Sequence, residues 1–175
     1  MVRLWPTSLI TCVLAVVLTA CGGNEDLTAL EQQVDHNLAA PFTEAQVRLT
    51  NGEATVELDA FVADTPKLRR QGLQGWPSLP ERTGMVFAYA ADSTGGFWMK
   101  DTLIPLSIAF ADAEGRIHTI RQMEPCEAQP CPSYAPNAPY RHALEVNQGL
   151  FDELGVAPGW RLEVRTAEAT CRCGG

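Results

Sequence analysis

The sequence predicts a mainly β protein, a single antiparallel sandwich-like or barrel-like domain with one or two short helices. Three observations lead there. Asn51-Gly52 stands between two runs of alternating apolar and polar residues, a strong hairpin signal because Asn-Gly accepts the positive φ of a type I′ turn. Leu106, Ile108 and Phe110 alternate with Ser107, Ala109 and Ala111, the period-two pattern of a half-buried strand. Further short runs are separated by Gly, Pro, Asp and Asn, as in antiparallel sheets. With 175 residues, 46% of them hydrophobic and 19% charged, the chain supplies one core of ordinary size and leaves no room for a second domain.

Residues 1–20 read as a signal peptide and are set aside from the fold. Arg3 gives a positive start, residues 9–18 are an apolar run too short to span a bilayer comfortably, and Leu18-Thr19-Ala20-Cys21 ends it with small residues before a cysteine. This resembles the lipobox of bacterial lipoproteins. The resemblance implies cleavage before Cys21, diacylglycerol on its sulfur and an acyl chain on the new amino terminus, which together give stable membrane attachment. An ordinary secretory signal cleaved after Ala20, or an uncleaved anchor, is the competing reading. The expected location is extracytoplasmic, and Gly22 rather than Asp after Cys21 points, in a host with two membranes, to the outer membrane facing the periplasm. Residues 21–43 then form the lipidated cysteine and a tether. Leu27, Leu30, Val34 and Leu38 recur within it at helical spacing, so a short docking helix is the alternative to a plain polar spacer.

Removing the leader takes away Arg3 and no acid, leaving 12 basic against 21 acidic residues, a net charge of −9. Such a surface repels phosphate backbones, and no basic patch offsets it, so nucleic acid is not an expected partner.

The folded domain is placed at residues 44–166. After the hairpin, Thr65 and Pro66 offer a helix N-cap and first helical residue, with Gly72 and Gly75 as stops. Strands are expected at residues 85–89, 97–100, 106–112, 116–121, 143–146 and 161–166, with a turn at Glu114-Gly115 and one helical turn at 150–154. Residues 167–175 form a tail.

Cys12 leaves with the leader and Cys21 carries the lipid, so Cys126, Cys131, Cys171 and Cys173 remain. In an oxidising compartment Cys126 and Cys131, which enclose a short loop, are read as a disulfide. The spacing departs from zinc ribbons and from redox motifs, even with His118 or His142 added, so no metal and no cofactor are assigned. Cys171 and Cys173 are too close for an unstrained bond.

The chemistry-bearing stretch is Phe97-Trp98-Met99-Lys100-Asp101-Thr102-Leu103-Ile104-Pro105-Leu106, which delivers aromatics, a cation, an anion and a hydroxyl to the mouth of the 106–112 strand. With Arg69, Gly72-Leu73, Gly84-Met85-Val86-Phe87 and Leu144-Glu145-Val146-Asn147-Gln148-Gly149, it resembles the domain of unknown function 192 family over about residues 56–164. The resemblance carries Arg69, Trp98, Met99, Lys100, Thr102, Glu145 and Asn147 onto matching motif positions without assigning them roles. Three positions depart from the family pattern. Asp101 stands where Asn is usual, Ser107 where Asp is usual, and Gln74 where Met is usual.

Two accounts of this polar set follow. In the functional one, Trp98 and Tyr134 are the flat walls of a small cleft, Arg69 and Lys100 bind an anionic or hydroxylated ligand, and Asp101, Thr102, Glu145 and Asn147 complete it. In the structural one, Arg69 or Lys100 meets Glu145 in a partly buried ion pair that fixes strand register. No serine nucleophile elbow, phosphate loop or His-Glu-x-x-His motif is present. The leading expectation is a non-catalytic binding or accessory module of the cell envelope, lipid-anchored, with a small molecule or an envelope protein as partner. The alternatives are an envelope enzyme using Lys100, Asp101 and Glu145 as acid and base groups, and a purely structural scaffold.

Overall fold

In the computed structural model the described residues are 36–126 and 128–166. The leader, Cys21, the tether through residue 35 and the tail with Cys171 and Cys173 lie outside them. A short helix α1 (His36–Ala39) leads into β1 (Thr43–Thr50). Leu38 and Ala39 pack against the core and Phe42 is buried in it, so the packed unit extends upstream of residue 44.

The hairpin forms between β1 and β2 (Thr55–Ala63), but its loop has four residues rather than two. Asn51 uses its side-chain oxygen to accept the N–H groups of Glu53 and Ala54, at 3.0 and 2.7 Å, and only Gly52 takes the positive φ. That local bond wins over the type I′ geometry. Thr65 caps α2 (Pro66–Gln71) by accepting the N–H of Leu68, Pro66 opens the helix and Gly72 ends it, as the residues predict.

The chain then runs through β3 (Thr83–Ser93), β4 (Phe97–Trp98), β5 (Leu106–Ala111), β6 (Ile117–Met123), β7 (Ser133–Tyr134), β8 (Tyr140–Asn147), a helical turn α3 (Leu150–Glu153) and β9 (Arg161–Thr166). Seven strands form one mixed sheet in the order β6-β5-β8-β3-β2-β1-β9, and β4 pairs with β7 in a small second sheet. The expectation of an all-antiparallel sheet is corrected at one place: β2 and β3 are parallel. The nineteen residues between them, with α2 inside, are the long crossover that parallel pairing requires. The sheet does not close into a barrel. Its two ends touch at one corner, where Ile117 donates to the Trp160 carbonyl (2.8 Å) and Leu162 to the Gly115 carbonyl (2.7 Å). Gly115 allows this approach, since a Cβ there would strike that backbone.

Both faces of the sheet are covered. One core gathers Phe61, Met85, Phe87, Leu106, Ile108 and Phe110 under an irregular layer carrying Leu73, Trp76, Leu79 and Met99. The other gathers Val47, Leu49, Leu58, Val86, Leu144 and Val146 with Phe151, Trp160 and Leu162. β5 is therefore buried along its whole length, not half-buried. Ser107, Ala109 and Ala111 are the small residues of the second core rather than an exposed face. Each large side chain so buried contributes about 1.5–3 kcal/mol.

Candidate functional site

The Phe97–Leu106 stretch lies partly in the core and partly on the surface. Phe97 packs edge-on against Phe87 and Phe110, at ring separations of 4.9 and 5.6 Å. Met99 and Thr102 are buried. Trp98, Lys100 and Asp101 point outward. The Lys100 ammonium sits 5.9 Å from the Trp98 ring and 3.5 Å from the Asp101 carboxylate. Beside them runs the 124–134 segment: Trp98 pairs with Ser133, Phe97 with Tyr134, and Lys100 bridges to Cys126. The Cys126–Cys131 disulfide closes this segment, and the Tyr134 hydroxyl accepts the N–H of Glu124 at 3.1 Å.

Asp101 has φ 57, in the left-handed region, and its carbonyl accepts the N–H of Gly75 at 2.8 Å. Asp and Asn are the side-chain-bearing residues that adopt this conformation most readily, so the departure at position 101 keeps the backbone shape. Ser107 is fully buried. It donates to the Gln122 side-chain oxygen (2.6 Å) and accepts the N–H of Gly149 (2.9 Å), so a short acceptor is retained there as well.

Glu145 and Asn147 share one face of β8, as their spacing predicts, but not one role. The Asn147 amide donates to the Leu79 carbonyl at 2.8 Å, pinning the layer that covers the sheet. Glu145 is 5% exposed, flanked across the sheet by Met85 and Ile108, and has no hydrogen bond or ion pair among the described residues. Burial pushes its carboxyl up to about 8. Neither Arg69 nor Lys100 is paired with it. Arg69 instead lies over Tyr89, whose hydroxyl is 3.4 Å from that of Tyr140, and Tyr140 donates to the Gly95 carbonyl at 2.9 Å. The Tyr89 phenol is held above its ordinary value, first by burial, then by Tyr140, with Arg69 opposing and Glu145 adding to the rise.

Of the predicted residues, Trp98, Lys100 and Asp101 are exposed with Tyr134 half-buried beside them, Arg69 and Glu145 lie around Tyr89, Thr102 is buried and Asn147 pins the covering layer. Sequence reasoning missed Tyr89, Tyr140 and Trp76. Trp76 is fully buried with its indole N–H unpartnered, and it belongs to an irregular segment without periodicity. Two open concavities lie elsewhere. One of about 620 Å³ over β1 and β2 is lined by Gln46, Arg48, Glu57, Asp59 and Arg165 among others. The second, of about 340 Å³, is lined by Arg121, Gln122, Asn137 and Asp152 among others. Among the described residues no three His, Cys, Asp or Glu side chains cluster as metal ligands.

Solved structures resemble this one. A protein of Sinorhizobium meliloti 1021, described as a candidate transcription regulator, superposes with TM-score 0.65 at 32% identity, covering 70% of this chain and 95% of its own. A protein of unknown function from Novosphingobium aromaticivorans DSM 12444 superposes with TM-score 0.63 at 28% identity, covering 67% and 83%. No functionally curated protein matches the chain. The model of the domain of unknown function 192 family, described as an uncharacterised ACR, matches residues 47–164. The chain belongs to that family.

Proposed function

We propose that this chain is a lipid-anchored protein of the bacterial cell envelope whose β domain is a non-catalytic binding or accessory module, working through the edge that carries Trp98 and Lys100. One observation carries the reading. Among the described residues the exposed large hydrophobic side chains are Trp98, 55% exposed, and Leu103, 62% exposed. Both lie on the family motif, near a cation and an anion in sequence, and aromatic residues are enriched at interfaces relative to the rest of a protein surface. The Cys126–Cys131 disulfide suits an oxidising compartment. The S. meliloti relative is described as a candidate transcription regulator; direct binding of nucleic acid by this chain is disfavoured by 21 acidic against 13 basic residues.

The enzyme alternative draws on Glu145, since a carboxyl raised to about 8 is suited to acid–base work at neutral pH. Lys100 and Asp101 stand on the surface, away from its apolar surroundings. The test is thermal melting of a chain beginning after Cys21, beside Trp98→Ala and Lys100→Ala, against sugars, amino acids, small acids and metal ions. A ligand that raises the parent's melting temperature but not the variants' supports the reading. Identical responses of parent and variants to every compound would sink it.

A further inference from the structure

We infer that the occupant of the Trp98 and Leu103 edge is the surface of the bilayer that holds the anchor, so that the domain lies against the membrane. This rests on the lipid-anchored reading above and names the partner of the same site. The composition of the edge is the first argument. The Trp98 indole and the Leu103 side chain, five residues apart on the same motif, are both exposed, and the Lys100 ammonium lies 5.9 Å from the indole ring. Trp with its polar N–H, an apolar side chain and a long-stemmed Lys form the combination that settles at headgroup level. Lys100 and Asp101 offset one another, so the contact needs no anionic lipid.

The second argument is where the chain enters the domain. Leu38 and Ala39 pack against the same core cluster as Phe97 and Ile104. Phe42 meets Trp76 edge-on at 6.5 Å, and Gly75, the residue before Trp76, donates to the carbonyl of Asp101. The first described residues of the chain are thus linked, through Phe42, Trp76 and Gly75, to the layer that carries Asp101.

Reach is the third argument. The fourteen residues between Cys21 and His36 span no more than about 50 Å even when fully extended, against a radius of gyration of about 14 Å for a domain of this size. Such a short leash holds the edge at an effective concentration in the millimolar range. Two side chains that would bind a bilayer feebly from solution are then enough.

The test uses protein expressed from the full sequence and isolated with its lipid, then placed in phosphatidylcholine vesicles with plain or brominated acyl chains. Trp76 and Trp160 are buried, at 0% and 8% exposure, and Trp5 leaves with the leader, so Trp98 is the reporter. The expected result is a loss of tryptophan emission on brominated lipid that disappears in Trp98→Phe and shrinks in Leu103→Ala, with both variants melting where the parent does. The inference is overturned if the mass spectrum shows diacylglycerol on Cys21 and yet brominated and plain vesicles give equal emission, or if quenching survives Trp98→Phe. A mass spectrum without lipid on Cys21 overturns the anchored reading, and the inference with it.

Discussion

The guanidinium of Arg69 lies over the ring of Tyr89, 4.5 Å from its centroid, while Nη1 donates to the carbonyls of Asp64 and Ala88 at 2.5 and 2.7 Å. One side chain thus ties α2 and the crossover to β3. Arg69→Ala is expected to lower stability by about 2–3 kcal/mol, from a cation–π contact and charge-assisted bonds to two carbonyls. Arg69→Lys should recover less than half of that, because an ammonium lacks the flat fork that stacks and bonds together. Urea denaturation of the three proteins measures it. Equal midpoints would mean that this clamp contributes nothing.

Glu145 makes stability depend on pH. Its carboxyl titrates near 8 when folded and near 4.5 when free, so between those values the folded state holds the extra proton. The stability that Glu145 allows is full below about pH 4.5, falls as pH rises through the window and is gone above about pH 8. The span corresponds to about 5 kcal/mol. Glu145→Gln cannot ionise, so its stability relative to the parent should climb across that window. Parallel stability curves for the two proteins would refute the assignment.

The Cys126–Cys131 disulfide closes a loop with a sequence separation of 5, for which chain entropy gives about 2 kcal/mol. Replacing both cysteines by serine is expected to cost about that much. The loss should be local: amide exchange should quicken at Ser133 and Tyr134, which pair with the Trp98 strand, while β8 stays protected. Uniform acceleration across the sheet would contradict this.

At position 101 backbone shape outweighs charge. The Lys100–Asp101 pair is exposed and so contributes at most about 1 kcal/mol. Asp101→Asn is expected to melt within a degree or two of the parent. Asp101→Ala, which meets the left-handed φ without a polar side chain, should lose about 1 kcal/mol. Should Asn and Ala destabilise equally, the ion pair and not the conformation is what matters.

Local signals were the legible part of the fold. Thr65-Pro66 and Gly72 bound a helix because capping is decided within a few residues, and the β9 range, 161–166, follows from its alternation alone. Longer-range facts were hidden. The parallel β2–β3 pair leaves no mark, since either strand would read the same beside an antiparallel neighbour. Alternation puts Glu145 and Asn147 on one side of their strand but does not say what covers that side. The layer over it, with Leu73, Trp76 and Leu79, has no period from which burial could be inferred. For the same reason Trp98 and Lys100 were found, while Tyr89, whose importance comes from what lies across space from it, was not.

The sheet order has a consequence for how the molecule is built. β8 lies between β3 and β5, so the strands made before it form two separate halves, β1 to β3 and β5 with β6. Residues 140–147 join those halves late, and every one of their sheet contacts closes a long loop. Folding of this domain is therefore governed by contacts of high sequence separation and is slow for its size. A chain cut between Met123 and Tyr140 retains both halves of the sheet without the strand that joins them.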